Sequence, residues 1–382
     1  MATSNFKPIE EPFQELQDFK VSRQYIMEME DYKADYHYYN NRINKSHSLK
    51  ELEKILGEML RENYYPNSYC FNTCLKKLPL ELAQKMFLIV TQKNLANAVT
   101  YNTMLSVIAN SSNPDIELAK KIFKEAESLG LVNEVTYNII LKMIVKTPVP
   151  DVKLAERVLN EAEGRGLVTL FTYGTMLHVI VKSLIPNIEL AVRVLKKAEG
   201  RGLVNVVTYS TMLNVIAKSP VPDIGLALKV LKEAERRGLV DMVTYTTMLD
   251  VIAKSPVPNM ELAKEVFKKA KSQGSIDEIM YSAMLDVIMK ASPLDMELGQ
   301  QILMEAIDLY KKYVVRDRKN VLFDLHGISG GAAFFLLLQE LPKLAKLTPI
   351  PPISIIYGKG LHTTTNELEA MEAHSLKRAV QK

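Results

Sequence analysis

The chain has 382 residues, 47% of them apolar and 24% charged, with a net charge of +4 and only two cysteines. That balance is ordinary for a folded chain in water and is long enough for two domains or one extended array. The small positive charge permits a polyanionic partner without requiring one, and no apolar run approaches the roughly 18–20 residues a membrane span needs, so no membrane partner is expected.

Glu10, Glu11, Glu15 and Asp18 crowd the first twenty positions. Signal peptides need a basic start and an apolar centre, and organelle transit peptides avoid acids. Residues 1–32 read as an amino-terminal extension, and the expected address is the cytoplasm, or an organelle if a leader has been removed. Cys70 and Cys74 follow at i, i+4. Adjacent turns of one helix are poor disulfide geometry, and CxxxC alone supplies two of the four ligands of a zinc site. Both read as reduced core residues, and no metal is assigned.

From residue 33 the chain repeats itself. Tyr101, Tyr137, Tyr173, Tyr209, Tyr245 and Tyr281 are each 36 residues apart, as are Gly130, Gly166, Gly202, Gly238 and Gly274. Units beginning three residues before each tyrosine run from 98, 134, 170, 206, 242 and 278. A shorter unit, 68–97, puts Phe71 in the tyrosine's place, and a degenerate one precedes it with Tyr36, making about eight. Within a unit, Tyr209, Met212, Leu213 and Ile216 share one helical face. Thr208 is the expected N-cap. After the breaker "KSPVP", Asp223 caps a second helix that buries Leu226, Ala227, Val230, Leu231 and Ala234, and Gly238 closes it at a left-handed C′ position. A hairpin of two short helices cannot bury its apolar faces alone, so neighbours stack. The expected fold is mainly α, a right-handed α-solenoid over 33–313, followed by a small two-layer α/β domain.

A second stripe lies on the other face of each first helix. Counting the tyrosine as fourth, the second residue is always apolar: Val99, Val135, Phe171, Val207, Val243, Ile279. The fifth is small: Asn102, Asn138, Gly174, Ser210, Thr246, Ser282. The thirteenth is Asn110, then Lys146, Lys182, Lys218, Lys254 and Lys290. A solvated face would carry small polar residues and lysines too, but would not hold an apolar residue and a lysine in register unit after unit. A periodic, anionic ligand with flat faces suits this stripe: single-stranded nucleic acid, with lysines on phosphates and apolar side chains sandwiching bases.

At these residues, "VTYNTML" and "VTYSTML" repeated in tandem, the chain resembles the pentatricopeptide repeat family, helical hairpins that bind single-stranded RNA. The resemblance implies one base per unit, clamped by the second residue, read by the fifth and the last, with the thirteenth near phosphate. The fifth/last pairs would be Asn72/Asn97, Asn102/Asn133, Asn138/Thr169, Gly174/Asn205, Ser210/Asp241 and Thr246/Asp277, with His37/Asn67 ahead of them and Ser282 at the end. It implies a tract of about six to eight nucleotides and, for units two to seven, pyrimidines at the first three positions, then A-G-G. The alternative is a tetratricopeptide-like scaffold that grips a protein, although that signature centres on tryptophan, which this chain lacks.

The period stops near Tyr313, and 314–320, with "VRDRKN", reads as a linker. Over 321–382 the expected order is strand (321–327), helix (332–346), strand (353–360) and a last helix near 367–380. "FDLHG" and "YGKGLHT" resemble the paired motifs of the small MutS-related (Smr) domain. That resemblance implies nucleic-acid binding, RNA or DNA, and in several members endonuclease nicking. Asp324, His326 and Lys359 are the candidate catalytic residues, and Gly327, Gly358 and Gly360 the motif glycines. Asp324 or His326 would activate a nucleophile while Lys359 offsets phosphorane-like charge. Binding without cutting stays open beside this. No cofactor is called for; Mg2+ enters only if the domain cuts.

Overall fold

The computed structural model describes residues 33–62, 66–112, 114–274, 276–316, 321–346 and 353–356, with the side chains of 33–37 excepted. The chain divides into two compact units, Met1–Ser183 and Leu184–Lys382. The extension 1–32, the "GKG" segment and the expected last helix lie outside the described residues.

In the first unit, helices α1 (Lys33–Lys45) to α9 (Leu170–Lys182) form successive hairpins. The first helix of each hairpin packs on the first helix of the next: α3 (Ser68–Lys77) on α5 (Ala98–Asn110), α5 on α7 (Glu134–Lys146), and α7 on α9. The second unit repeats the arrangement with α11 (Val206–Ala217), α13 (Met242–Lys254) and α15 (Glu278–Lys290). Their second helices are α12 (Ile224–Arg236), α14 (Met260–Gln273) and α16 (Met296–Glu305); α10 (Ile188–Gly200), the second helix of the preceding hairpin, opens this unit, and the one-turn α17 (Ile307–Tyr310) follows α16. The buried stripes follow the sequence spacing with one exception: Tyr209, Met212, Leu213 and Ile216 are buried, as are Ala227, Val230, Leu231 and Ala234, while Leu226, also expected inside, is half-buried. Phe71 fills the tyrosine position of its unit, and Cys70 and Cys74 are buried and free beside it. Burial pushes the Cys70 thiol up to about 11 and the Cys74 thiol higher still.

One expectation at the helix start is corrected. Thr208 is not the N-cap; Asn205 is. The Asn205 carboxamide oxygen accepts from the Thr208 N–H at 3.0 Å, and the Asn205 N–H donates to the Thr208 hydroxyl at 3.1 Å. This reciprocal box puts the threonine at N3, fully buried. The same box recurs with Asn97/Thr100, Asn133/Thr136, Thr169/Thr172 and Asp241/Thr244. Second helices are capped as expected, Asp223 accepting from the Leu226 N–H at 2.9 Å. They end in Schellman turns: Gly238 has φ 67°, and the Leu239 N–H reaches the Ala234 carbonyl at 2.9 Å. Gly274 departs from the set, with φ 157° after a helix one residue longer.

After the last hairpin the first three residues of the expected linker, Val314–Arg316, form a strand, and 317–320 lie outside the described residues. β1 (Val314–Arg316) pairs antiparallel with β2 (Val321–Asp324), which pairs parallel with β3 (Ile353–Ile356), giving the order β1-β2-β3. The helix between the parallel strands, α18 (Gly330–Leu344), packs on α15 in the slot where another first helix would stack. Contact is close: a Cβ on Gly331 would lie 2.4 Å from the Leu285 carbonyl carbon, and one on Gly299 would meet the Phe335 ring at 2.1 Å. The Gly331 N–H donates to Asp286 Oδ1 at 2.7 Å. Arg316 from β1 and Lys343 from α18 both reach the buried Glu340 carboxylate, tying the sheet to its helix. No described helix is long and apolar enough to cross a membrane.

Candidate nucleic-acid interface

Each first helix presents its stripe on the face opposite the tyrosine. The second-position side chains stay largely in solvent, from 46% exposed at Val135 to 66% at Ile279. Val99, Phe171, Val207 and Val243 lie between those limits. These are β-branched or aromatic side chains that the fold does not bury, one per hairpin and in constant register.

Behind them sit the fifth and last residues, and at two joints of the first unit they touch. Asn102 Nδ2 donates to Asn133 Oδ1 at 3.1 Å, while Asn102 Oδ1 accepts from the Thr136 hydroxyl at 2.7 Å. Asn138 repeats this, donating to Thr169 Oγ1 at 3.3 Å and accepting from Thr172 Oγ1 at 2.8 Å. The last residue of one hairpin is thus the N-cap of the next and the neighbour of the fifth. Sequence reasoning missed the bridging threonines; their recurrence at the third position was the available signal. Asn72 Oδ1 is buried with no partner among the described residues, and Asn97 Nδ2 bonds Ser68 Oγ at 3.2 Å. At Gly174 a Cβ would meet nothing within 4 Å, so that step of the stripe is open.

In the second unit the fifth residues turn back on their own helix. Ser210 donates to the Val207 carbonyl at 3.2 Å and Thr246 to the Met242 carbonyl at 2.8 Å. Asn205, Asp241 and Asp277 are N-caps of α11, α13 and α15. Ser282 differs from both: its hydroxyl shares a 2.8 Å bond with the Tyr310 hydroxyl, and its carbonyl accepts from Ser329 Oγ at 3.4 Å. The loop leading into α18 therefore closes over the last step. The His37 side chain lies outside the described residues, while Asn67 caps α3.

The thirteenth-position lysines are all exposed, yet several already have partners. Lys146 Nζ donates to the Ala109 carbonyl at 2.8 Å and to Asn110 Oδ1 at 2.6 Å, and Lys182 Nζ to the Val145 carbonyl at 3.2 Å. These are last-turn carbonyls of the preceding first helix, where a cation meets the negative end of the helix dipole. Lys254 pairs with Asp250 at 2.8 Å. Lys218 and Lys290 have no side-chain partner among the described residues.

In the carboxy-terminal piece, Asp324 ends β2 and His326 sits in the following turn, with Gly327 at φ 74°. Asp324 Oδ1 lies 2.6 Å from His326 Nδ1 and 3.2 Å from its backbone nitrogen. Those hydrogen bonds hold the Asp324 carboxyl below the usual carboxylate range. Lys359, Gly358 and Gly360 lie outside the described residues. Among the described residues no group of histidine, cysteine and acidic side chains could hold a metal.

Stacked hairpins with a capped, outward-facing stripe define an α-solenoid repeat protein. Residues 90–147 match the pentatricopeptide repeat domain. The fold is similar to the crystal structure of the pentatricopeptide repeat protein PPR10 from maize, with TM-score 0.55 and 22% identity over 76% of this chain and 43% of that one. A structure of PPR10 in complex with an 18-nt psaJ RNA element aligns with TM-score 0.41 and 16% identity over 86% of this chain and 52% of that one. This chain thus spans about half or less of the maize protein's length. Curated proteins give no match.

Proposed function

We propose that this protein binds single-stranded RNA in a sequence-selective way, one base per helical hairpin, and acts in RNA processing or stability. One observation carries the reading: the exposed apolar column at the second position, held in register beside a polar fifth/last pair. Burial does not account for those side chains, whereas stacking on bases does, at roughly 1–3 kcal/mol per base. The maize repeat protein, with a similar fold, is described in complex with RNA, which agrees with this reading. Selection from a random RNA pool tests it. The expected winner carries pyrimidines followed by A-G-G, and Thr246→Asn moves the base at that unit from guanine towards pyrimidine. A protein-gripping scaffold would instead keep its partners after ribonuclease treatment and select no RNA.

The carboxy-terminal piece, in our reading, is Smr-like and adds a nucleic-acid contact, to RNA or DNA, beside the last hairpin. A second reading, strand cleavage, is favoured by the Asp324–His326 contact. A carboxylate that fixes one imidazole nitrogen leaves the other to accept a proton from an attacking hydroxyl or water, and Lys359 is the proposed partner for the developing phosphate charge. Incubating the selected RNA with the protein, with and without Mg2+, separates the two. Cutting that His326→Ala abolishes while affinity stays within about twofold supports cleavage; an intact strand leaves a binding module.

A further inference from the structure

The RNA reading leaves one periodic feature unused. In the second unit, the turn between the two helices of each hairpin lifts one apolar tip into solvent: Ile185, Val221, Val257 and Leu294. The first three are 65–80% exposed, with Leu184 beside Ile185 at 85%, and Leu294 is 37% exposed at the end of the row. They recur every 36 residues as far as Val257 and once more, 37 residues on, at Leu294. Single exposed valines are routine on any surface. A row of them, one per hairpin along one edge, is an apolar ridge of the kind that marks an interaction site.

The turns are built to hold the tips out. Pro186 and Pro222 are buried directly after Ile185 and Val221, and the Ser219 hydroxyl donates to the Val221 carbonyl at 3.2 Å. Prolines on either side of Val221 and Val257 fix the backbone before any partner arrives, so little ordering entropy is lost on contact.

We propose that this ridge is a self-association surface, and that its occupant is the same ridge of a second copy. The pitch is the first argument. A row of tips spaced by one hairpin is met tip to tip by an object with the same spacing, and a second copy supplies that spacing by construction. Charge is the second. Lys218 and Lys290 flank the ridge on the first-helix side, and Asp223 and Glu297, all exposed, flank it on the second-helix side; Lys254 and Glu261 stand in the same two rows but already pair with Asp250 and Lys264. A two-fold axis running along the ridge sets the lysine flank of each copy against the acidic flank of the other. The perpendicular two-fold would set lysine against lysine. Such an interface is isologous, and four tips with their charged flanks fit the small end of specific interfaces, on the order of 1,000 Å2. The dimer is therefore weak and concentration-dependent. The lysine flank is also the one proposed to meet phosphate, so RNA and the second copy compete for it.

The test is sedimentation equilibrium of the full, nuclease-treated chain over roughly 1–100 µM, a range spanning weak association. The wild type is expected to shift from monomer to dimer within it. V221D/V257D, which places like charges opposite one another, weakens the dimer at least about tenfold, while V221I/V257I keeps it. Both positions are exposed, so an unchanged thermal midpoint confirms that folding is intact. A wild type that stays monomeric throughout overturns the proposal, as does a V221D/V257D variant that dimerises as the wild type does. A monomer that co-sediments with phosphatidylserine vesicles, and loses this with V221D/V257D, assigns the ridge to a lipid surface and overturns it equally. Selective RNA binding by a monomer would leave the RNA reading standing, so the two fail separately.

Discussion

The hairpins and the carboxy-terminal piece meet at the same kind of joint but announce themselves differently. Between hairpins, first helix stacks on first helix, five of those helices start with the same capping box, and the buried tyrosine face recurs unit after unit. Between α15 and α18 the same slot is filled by a helix outside the repeat, held by Gly331, Asp286 and Ser329 in contacts found once. Repetition works as an internal control: an exposed apolar residue seen at one position in six hairpins asks for a reason, whereas His326 and Asp324, seen once, must be argued from their own geometry.

That contrast can be broken at several points. The largest effect is expected from Tyr209→Ala, which removes a fully buried ring from the column; about 4 kcal/mol of stability is lost, and hydrogen exchange should show the loss concentrated in its own and adjacent hairpins. Gly331→Val drives side-chain atoms into the Leu285 backbone and costs about 2 kcal/mol. Exchange protection should fall in 321–344 while α11 and α13 keep theirs, and equal loss in both would show that the joint is not separable from the stack. Asn205→Ala removes one cap, for about 1 kcal/mol by chemical denaturation; Asn205→Asp should retain most of the stability while altering base preference at that unit.

The smallest effect separates the lysines. Replacing Lys218 and Lys290 by Ala should leave the thermal midpoint unchanged and flatten the slope of log affinity against log salt by about 1.4, at about 0.7 per single-strand contact. Lys146→Ala, which takes the donor from the Ala109 carbonyl and Asn110, should instead lower stability by about 0.5 kcal/mol. A salt slope unmoved by both changes would identify the column as solvated surface.

How much was legible follows the same divide. Tyrosine spacing, the aspartate caps and the φ of Gly238 could be read from sequence because each serves helix geometry that any hairpin must satisfy. Thr208 was misplaced by three residues: Asn205 and Thr208 are both cap formers, and only the reciprocal bonds show which is outside the helix. The lysine column was visible, but its donation to the preceding helix was not, because that partner lies 36–37 residues back and belongs to the joint between hairpins. Ser282 looked like the other fifth residues; Tyr310 and the loop before α18, which set it apart, come from outside the period. In the last region a strand at 314–316 was hidden in a charged stretch, since its pairing with β2 is a tertiary choice that three residues do not declare.

The capping box carries a consequence for how such a chain could change its target. The side chain that starts each first helix is also the one proposed to help name a base, and Asn97, Asn133, Thr169, Asn205, Asp241 and Asp277 are all residues that start helices well. Drift at that position is then confined to a handful of letters that keep the joint intact, while the fifth position, free of that duty, supplies the remaining variety. Architecture, on this view, sets the vocabulary before selection chooses the words.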